Sequence, residues 1–162
     1  MEGLKMGNRV GLARTQALIE NLKRELTMGG TKLGGLKEST KSVTSDTTLA
    51  PADSGKVILM GQNGVDITLP TATAGMTFTI IQVEDYVTAV CTVVAAAGNF
   101  MAGALGGVAV DSNQLADGSS DLTATWGSGT LAGDQITLVS DGTLWYVTGT
   151  VAAGGANGIA FS

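Results

Sequence analysis

From Lys56 onward the apolar residues of this chain recur at every second position, and that period constrains its fold more than any other feature. In an extended strand, alternate side chains share a face, so this pattern describes strands with one side buried. KVILM is followed by a GQNG turn, VDITL stops at Pro70, and MTFTIIQV starts after the turn residues TATAG. VTAVCTVV, a weaker stretch around Phe100 and Val108–Val110, the loop DSNQLADGSSD, LTATW, QITLVS and LWYVTG continue at the spacing of a sandwich or barrel. With 24 glycines, two prolines and 4% aromatics, the composition suits short strands and tight turns, and the 44% hydrophobic content excludes wholesale disorder. The expectation is a mainly β fold: an antiparallel β-sandwich or barrel-like domain over residues 51–162, with an N-terminal amphipathic helix arm and no second long helix.

The arm is the segment RVGLARTQALIENLKREL, residues 9–26. Leu12, Ile19, Leu22 and Leu26 fall on one helical face, with Thr15 in the remaining inward slot, while Arg14, Glu20, Asn21, Lys23 and Arg24 take the other side. Asn8 suits the N-cap, Gly29-Gly30 suits the C-terminal cap, and Glu20 stands four residues before Arg24 for a surface ion pair. A helix this short is marginal alone in water, so its stripe needs a surface to lie on. Residues 1–28 are therefore expected to form a docking arm, with Leu12, Arg14, Ile19, Leu22, Lys23 and Leu26 as the partner-binding residues. Residues 29–50 have the Gly, Ser, Thr and Lys composition of a flexible linker, which lets the helix dock away from its own domain; the other possibility is a loop folded back on that domain.

Charge divides along the same line. Residues 1–45 carry eight basic and four acidic side chains, a net of +4, whereas residues 46–162 carry Lys56 against ten acidic side chains, a net of −9. The basic part is expected to face an anionic or mixed partner and the acidic part open solvent.

The clearest local signal is QITLVS-DG-TLWYVTG, where Asp141-Gly142 suits a two-residue type I′ turn. That turn opposes Ser140 to Thr143, Leu138 to Trp145 and Ile136 to Val147, placing Ile136, Leu138, Trp145 and Val147 on a core face. The opposite face, with Thr137, Val139, Leu144 and Tyr146, stays apolar enough to need covering by a second sheet, a neighbouring subunit or the C-terminal GIAFS.

Catalytic and cofactor chemistry finds little foothold. The chain has no histidine, which removes the commonest general base, the Ser-His and Cys-His arrangements and the commonest zinc ligand. The single cysteine, Cys91, lies in an apolar run and is expected to be buried. A Walker loop fails where Leu36 follows Gly35, and GSGTLAG at 127–133 reads as a turn, not a dinucleotide fingerprint. Asp111, Asn113, Asp117 and Asp121 offer oxygen ligands, but Leu115 breaks the calcium-loop spacing, so a solvated loop is expected. Adjacent Glu84 and Asp85 would point to opposite faces of a strand and suit a turn better than an acid/base pair. Nucleic-acid binding is not expected of an acidic β region whose basic arm lacks aromatics. No run reaches the length of a membrane span and no signal-peptide block leads the chain, so the mature protein is expected to start where the sequence does, without membrane association or cofactor.

The arm VGLARTQALIENLKRELTMGG resembles the N-termini of small virion proteins of tailed bacteriophages. LAPADSGKVILM, ITLPTATAGMTFTI and SDGTLWYVTG resemble a β domain recurrent in phage head-decoration and tail-fibre proteins. The resemblance implies a non-enzymatic capsid decoration or cement protein on the virion head surface, often a homotrimer, whose arm grips the major capsid protein and stabilises the head. It leaves open a tail-fibre or receptor-binding protein with a glycan-binding β domain. For that alternative Tyr86 is the stacking candidate, since Trp126 and Trp145 fall within strand patterns.

Overall fold

The strands of the chain are divided between two sheets. The computed structural model describes residues 11, 14–20, 38–61, 64–85, 88–107, 112–153 and 157–162. Among them are β1 (Thr40–Val43), β2 (Thr47–Thr48), β3 (Val57–Met60), β4 (Asp66–Thr68), β5 (Thr77–Gln82) and β6 (Cys91–Val94). The later strands are β7 (Met101–Gly107), β8 (Leu115–Asp117), β9 (Thr123–Trp126), β10 (Gln135–Ser140), β11 (Trp145–Val151) and β12 (Ile159–Phe161). The seven-stranded sheet runs β1-β3-β5-β10-β11-β7-β8 and the five-stranded sheet β12-β9-β6-β4-β2.

The fold is mainly β, but the expected antiparallel arrangement is corrected to two mixed sheets. From β1 to β6 each strand joins the sheet its predecessor did not. The chain therefore winds as three coils, and β1, β3 and β5 pair in parallel, as do β2, β4 and β6. Period-two alternation reports that one face of a strand is buried, but not which strand it hydrogen-bonds to. Antiparallel pairing is confined to β5-β10-β11, β7-β8 and β6-β9-β12.

The buried faces of both sheets contribute to one apolar core, including Ile58, Phe78, Ile80, Ile136, Leu138, Trp145 and Val147 from the larger sheet and Ile67, Val93, Trp126 and Ile159 from the smaller. Burying each aliphatic side chain contributes about 1.5–3 kcal/mol. Cys91 is buried, as its surroundings in sequence foretold.

The last hairpin has the expected core face in a different register. Ser140 pairs with Trp145, Leu138 with Val147 and Ile136 with Gly149. No non-glycine residue among those described has positive φ, so Asp141 cannot enter a type I′ turn. Its carboxylate instead accepts the N–H groups of Thr143 at 2.8 Å and Leu144 at 2.9 Å, closing a longer loop. The register slips by two, and because an even slip conserves facing, Ile136, Leu138, Trp145 and Val147 remain inside.

One further expectation changes. The stretch 29–50 is not linker throughout: Glu38 opens the second compact unit, Glu38–Ser162, and β1 and β2 lie within the supposed connector. Val43 and Leu49, isolated in a polar sequence, are buried there, and burial holds the segment. The weaker stretch expected around Phe100 is indeed a strand, β7, MAGALGG, despite glycines that a propensity argument penalises, while Val108–Val110 lie outside the described residues. Packing explains them: a methyl group at Gly103 would overlap the Val147 carbonyl on β11.

In the first unit, Met1–Lys37, positions 11 and 14–20 are helical. The expected caps, Asn8 and Gly29-Gly30, lie outside the described residues.

Candidate functional site

Of the residues expected to bind a partner, Arg14 and Ile19 are described, and both are exposed on helical backbone. Leu12, Leu22, Lys23 and Leu26 lie outside the described residues. Ile19 is 48% exposed and its neighbour Leu18 is 65% exposed, so the described turns present apolar side chains outward. The Thr15 hydroxyl donates to the Gly11 carbonyl at 2.8 Å, satisfying its polar group on its own backbone.

Lys41 does not belong with the basic arm. From edge strand β1 its Nζ reaches Asp53 Oδ2 at 2.6 Å, while Lys56 Nζ reaches Oδ1 at 2.8 Å and the Ala50 N–H donates to Oδ2 at 3.0 Å. An inward charge on an edge strand also discourages unwanted strand pairing there. Hydrogen bonds from Lys41 and then Lys56 hold the Asp53 carboxyl far below its ordinary value, against the opposing effect of burial. A carboxyl depressed in the folded state stabilises the fold above its unfolded value of 3.8 and loses that contribution as pH falls through the folded pKa. Asp53→Asn is therefore expected to cost about 1–2 kcal/mol near neutrality, since both lysines keep partial hydration, and to flatten the loss of stability below about pH 4 in denaturant titrations.

The other carboxylates are also engaged. Asp117 accepts the N–H groups of Ser119 at 2.7 Å and Ser120 at 2.8 Å, and both serine hydroxyls. Those backbone donors come first in drawing its carboxyl well below the ordinary range. Asp121 accepts the Asp117 N–H at 2.7 Å, so the loop read as a possible calcium site spends these oxygens on its own turn. Asp111 lies outside the described residues, among which no group of three or more His, Cys, Asp or Glu side chains could hold a metal ion. Asp134, buried, accepts from Leu131 at 3.1 Å and Ala152 at 2.8 Å. Asp85, beside a bend at Glu84, accepts from Ala132 at 2.8 Å, and 127–133 forms the expected turn between β9 and β10.

What the tertiary structure assembles is a face. Outward positions of the seven-stranded sheet line up across strands as Thr40, Val57, Thr79, Thr137, Thr148 and Ala104, with Ser42, Leu59, Ile81, Gln135, Thr150 and Gly106 on one side. Thr77, Val139, Tyr146 and Ala102 form the row on the other side. No side chain within these rows is charged, but carboxylates border them: Asp117 on β8 pairs beside Ala102, Asp141 meets Tyr146, and Glu38 lies near Val57, Thr77 and Thr79. Val139 is 46% and Tyr146 48% exposed, so the smaller sheet, which shares the core on the opposite side, does not cover them. GIAFS does not either: its Ile159–Phe161 pairs with β9 in that smaller sheet. The Tyr146 hydroxyl donates to Asp141 at 3.0 Å, which raises the phenol's pKa, and the hydroxyls of Thr79 and Thr137 lie 3.3 Å apart in a hydrogen bond. A shallow cavity of about 170 Å³ at one end of the face is lined by Glu38, Gly55, Lys56, Val57, Thr77 and Thr79, and is smaller than ordinary ligand pockets.

The two tryptophans are buried, and Tyr86 lies outside the described residues. Among the described residues the most exposed aromatic is Tyr146, which sequence reading placed on the outward side of the hairpin without recognising the extent of the surface around it. Its signal was the run of alternate threonines, Thr77 with Thr79 and Thr148 with Thr150, facing away from the core. No protein-family model matches this chain, and comparison with curated proteins likewise finds no match.

Proposed function

We propose that this chain is a non-enzymatic capsid decoration or cement protein of a tailed bacteriophage. Its N-terminal arm binds the major capsid protein, and its β unit, read as a β-sandwich head, projects from the virion head surface. The observation that carries the reading is the division of the chain into a basic segment whose helical residues turn Leu18 and Ile19 to solvent and a strand-built unit of strongly acidic composition. Such a segment gains by lying on another protein, where apolar contact and charge act together. The carboxylates Asp53, Asp117 and Asp134 hold backbone and side chains of their own fold, which suits a scaffold more than a reaction centre. Burial of Trp126 and Trp145 takes two stacking platforms from the glycan-binding alternative.

Deletion of residues 1–28 tests the reading. The truncated protein is expected to keep a cooperative β fold, because the second compact unit begins at Glu38, and to lose all incorporation into particles. Normal incorporation without the arm, or location of the protein on the tail by cryo-electron microscopy of the virion, would refute it.

A further inference from the structure

We infer that residues 38–50 form an end cap on the β unit, which opens as one piece and is latched shut by the Asp53 carboxylate. Closed, the cap covers the apolar edge of β3 and keeps it from pairing with the β3 edge of a second copy. The device is the same whether or not the protein sits on a capsid.

The cap is the first of the three coils. It stands at the end of both sheets at once, with β1 at the edge of the larger and β2 at the edge of the smaller. Little apolar contact holds it there. Within residues 38–50 the buried side chains are Val43 and Leu49, whereas four-residue β3 alone buries Ile58 and Met60, and β5 buries Phe78 and Ile80. Each cap strand has a neighbour on one side, so opening breaks one ladder in each sheet. The bonds given up include Val57 N–H to the Ser39 carbonyl at 3.0 Å, Gly61 N–H to Val43 at 3.0 Å and Leu49 N–H to Thr68 at 2.9 Å. A peripheral segment with few buried apolar contacts opens at a lower free energy than the whole unit.

Asp53 ties the cap down from the crossing between β2 and β3. Its Oδ2 accepts from Lys41 on β1 and from the Ala50 N–H at the end of the cap, while its Oδ1 is held by Lys56 at the threshold of β3. The cap cannot lift without giving up the Lys41 bond, and the carboxylate is thereby placed to set how often it opens.

The edge that is covered and the edge that is left differ in kind. β3 reads VILM, an uncharged aliphatic strand, and its bared backbone would template pairing with another chain. A second bared β3 suits it, because both strands then bring unpaired backbone and aliphatic side chains. β1 reads TKSV, and its inward lysine with outward Thr40 and Ser42 blunts the edge that remains when the cap is shut. A polar terminal coil over an apolar stack is the means by which repeat folds end without adding further copies.

The test is amide hydrogen exchange followed by NMR, together with sedimentation velocity, on the full-length chain. The amides of β1, and those of Val57 and Gly61 that bond to the cap, are expected to exchange as a group at least about tenfold faster than those of β10 and β11. Asp53→Asn is expected to speed that group by a further factor of about ten and to cause concentration-dependent association beyond that of the parent. Adding Leu59→Lys, which places a charge on the outward side of β3, should abolish that association. Val43→Ala weakens the cap without touching the latch, and should speed the same amides if Asp53→Asn does not fold. Cap amides exchanging at the rate of β10 and β11, an unchanged rate in Asp53→Asn, association no greater than the parent's, or association that survives Leu59→Lys would overturn the inference.

Discussion

Trp145→Ala is expected to destabilise the β unit by about 3–5 kcal/mol in denaturant unfolding, the range for deleting a buried large aromatic side chain. The indole is fully buried at the start of β11, with its ring centroid 5.7 Å from that of Phe78 and the planes inclined at 49°. Alanine would leave a void in the core beneath β11, and the neighbours can fill little of it. Val147 continues the same strand face, and Gly103 on β7 is pressed against the Val147 carbonyl and cannot shift without breaking the pairing. Trp145→Phe should cost much less. The indole N–H finds no acceptor among the described residues, so phenylalanine removes an unsatisfied donor along with part of the volume. A loss below about 1 kcal/mol for alanine would place the ring at the surface and revive a stacking role for it.

Leu22→Asp is expected to release the protein from the particle more completely than Lys23→Ala and Arg24→Ala combined, as measured by the protein remaining with purified particles. Each of the four stripe residues Leu12, Ile19, Leu22 and Leu26 contributes about 1.5–3 kcal/mol when buried, whereas an exposed ion pair contributes about 0–1 kcal/mol. Aspartate on the stripe forfeits the first kind of contribution and adds a desolvation cost. High salt weakens only the second kind, screening exposed pairs over a Debye length of about 8 Å near physiological ionic strength, so salt alone should strip the protein only partly. Complete release by salt while Leu22→Asp remains bound would show that charge holds the arm. Lys41, counted by sequence with the basic end, takes no part, because it is committed to Asp53.

These two expectations rest on different kinds of legibility. Trp145 could be assigned to the core from its neighbours alone, since alternation along QITLVS and LWYVTG is a property of one strand and survives an error of two in register. The burial of Cys91 and the turn at 127–133 were legible for the same reason. The ion pair of Lys41 with Asp53 was not, because twelve residues separate the partners and only the coil of β1 to β3 brings them together. The strand at β7 was legible only weakly, because its glycines oppose a strand until the close approach of β11 requires them. The outer face is the extreme case, with rows drawn from six strands that include no two consecutive in sequence except β10 and β11.

For most strands after Lys56 the sequence by itself determined position and which side chains turn inward, because hydrophobic burial acts residue by residue along a backbone of fixed period. Only the tertiary structure decided which strands pair, in which direction, and what surface their outward threonines and aliphatics compose. Backbone hydrogen bonds are the same for every residue type, so the choice of neighbour is made by how the whole core packs.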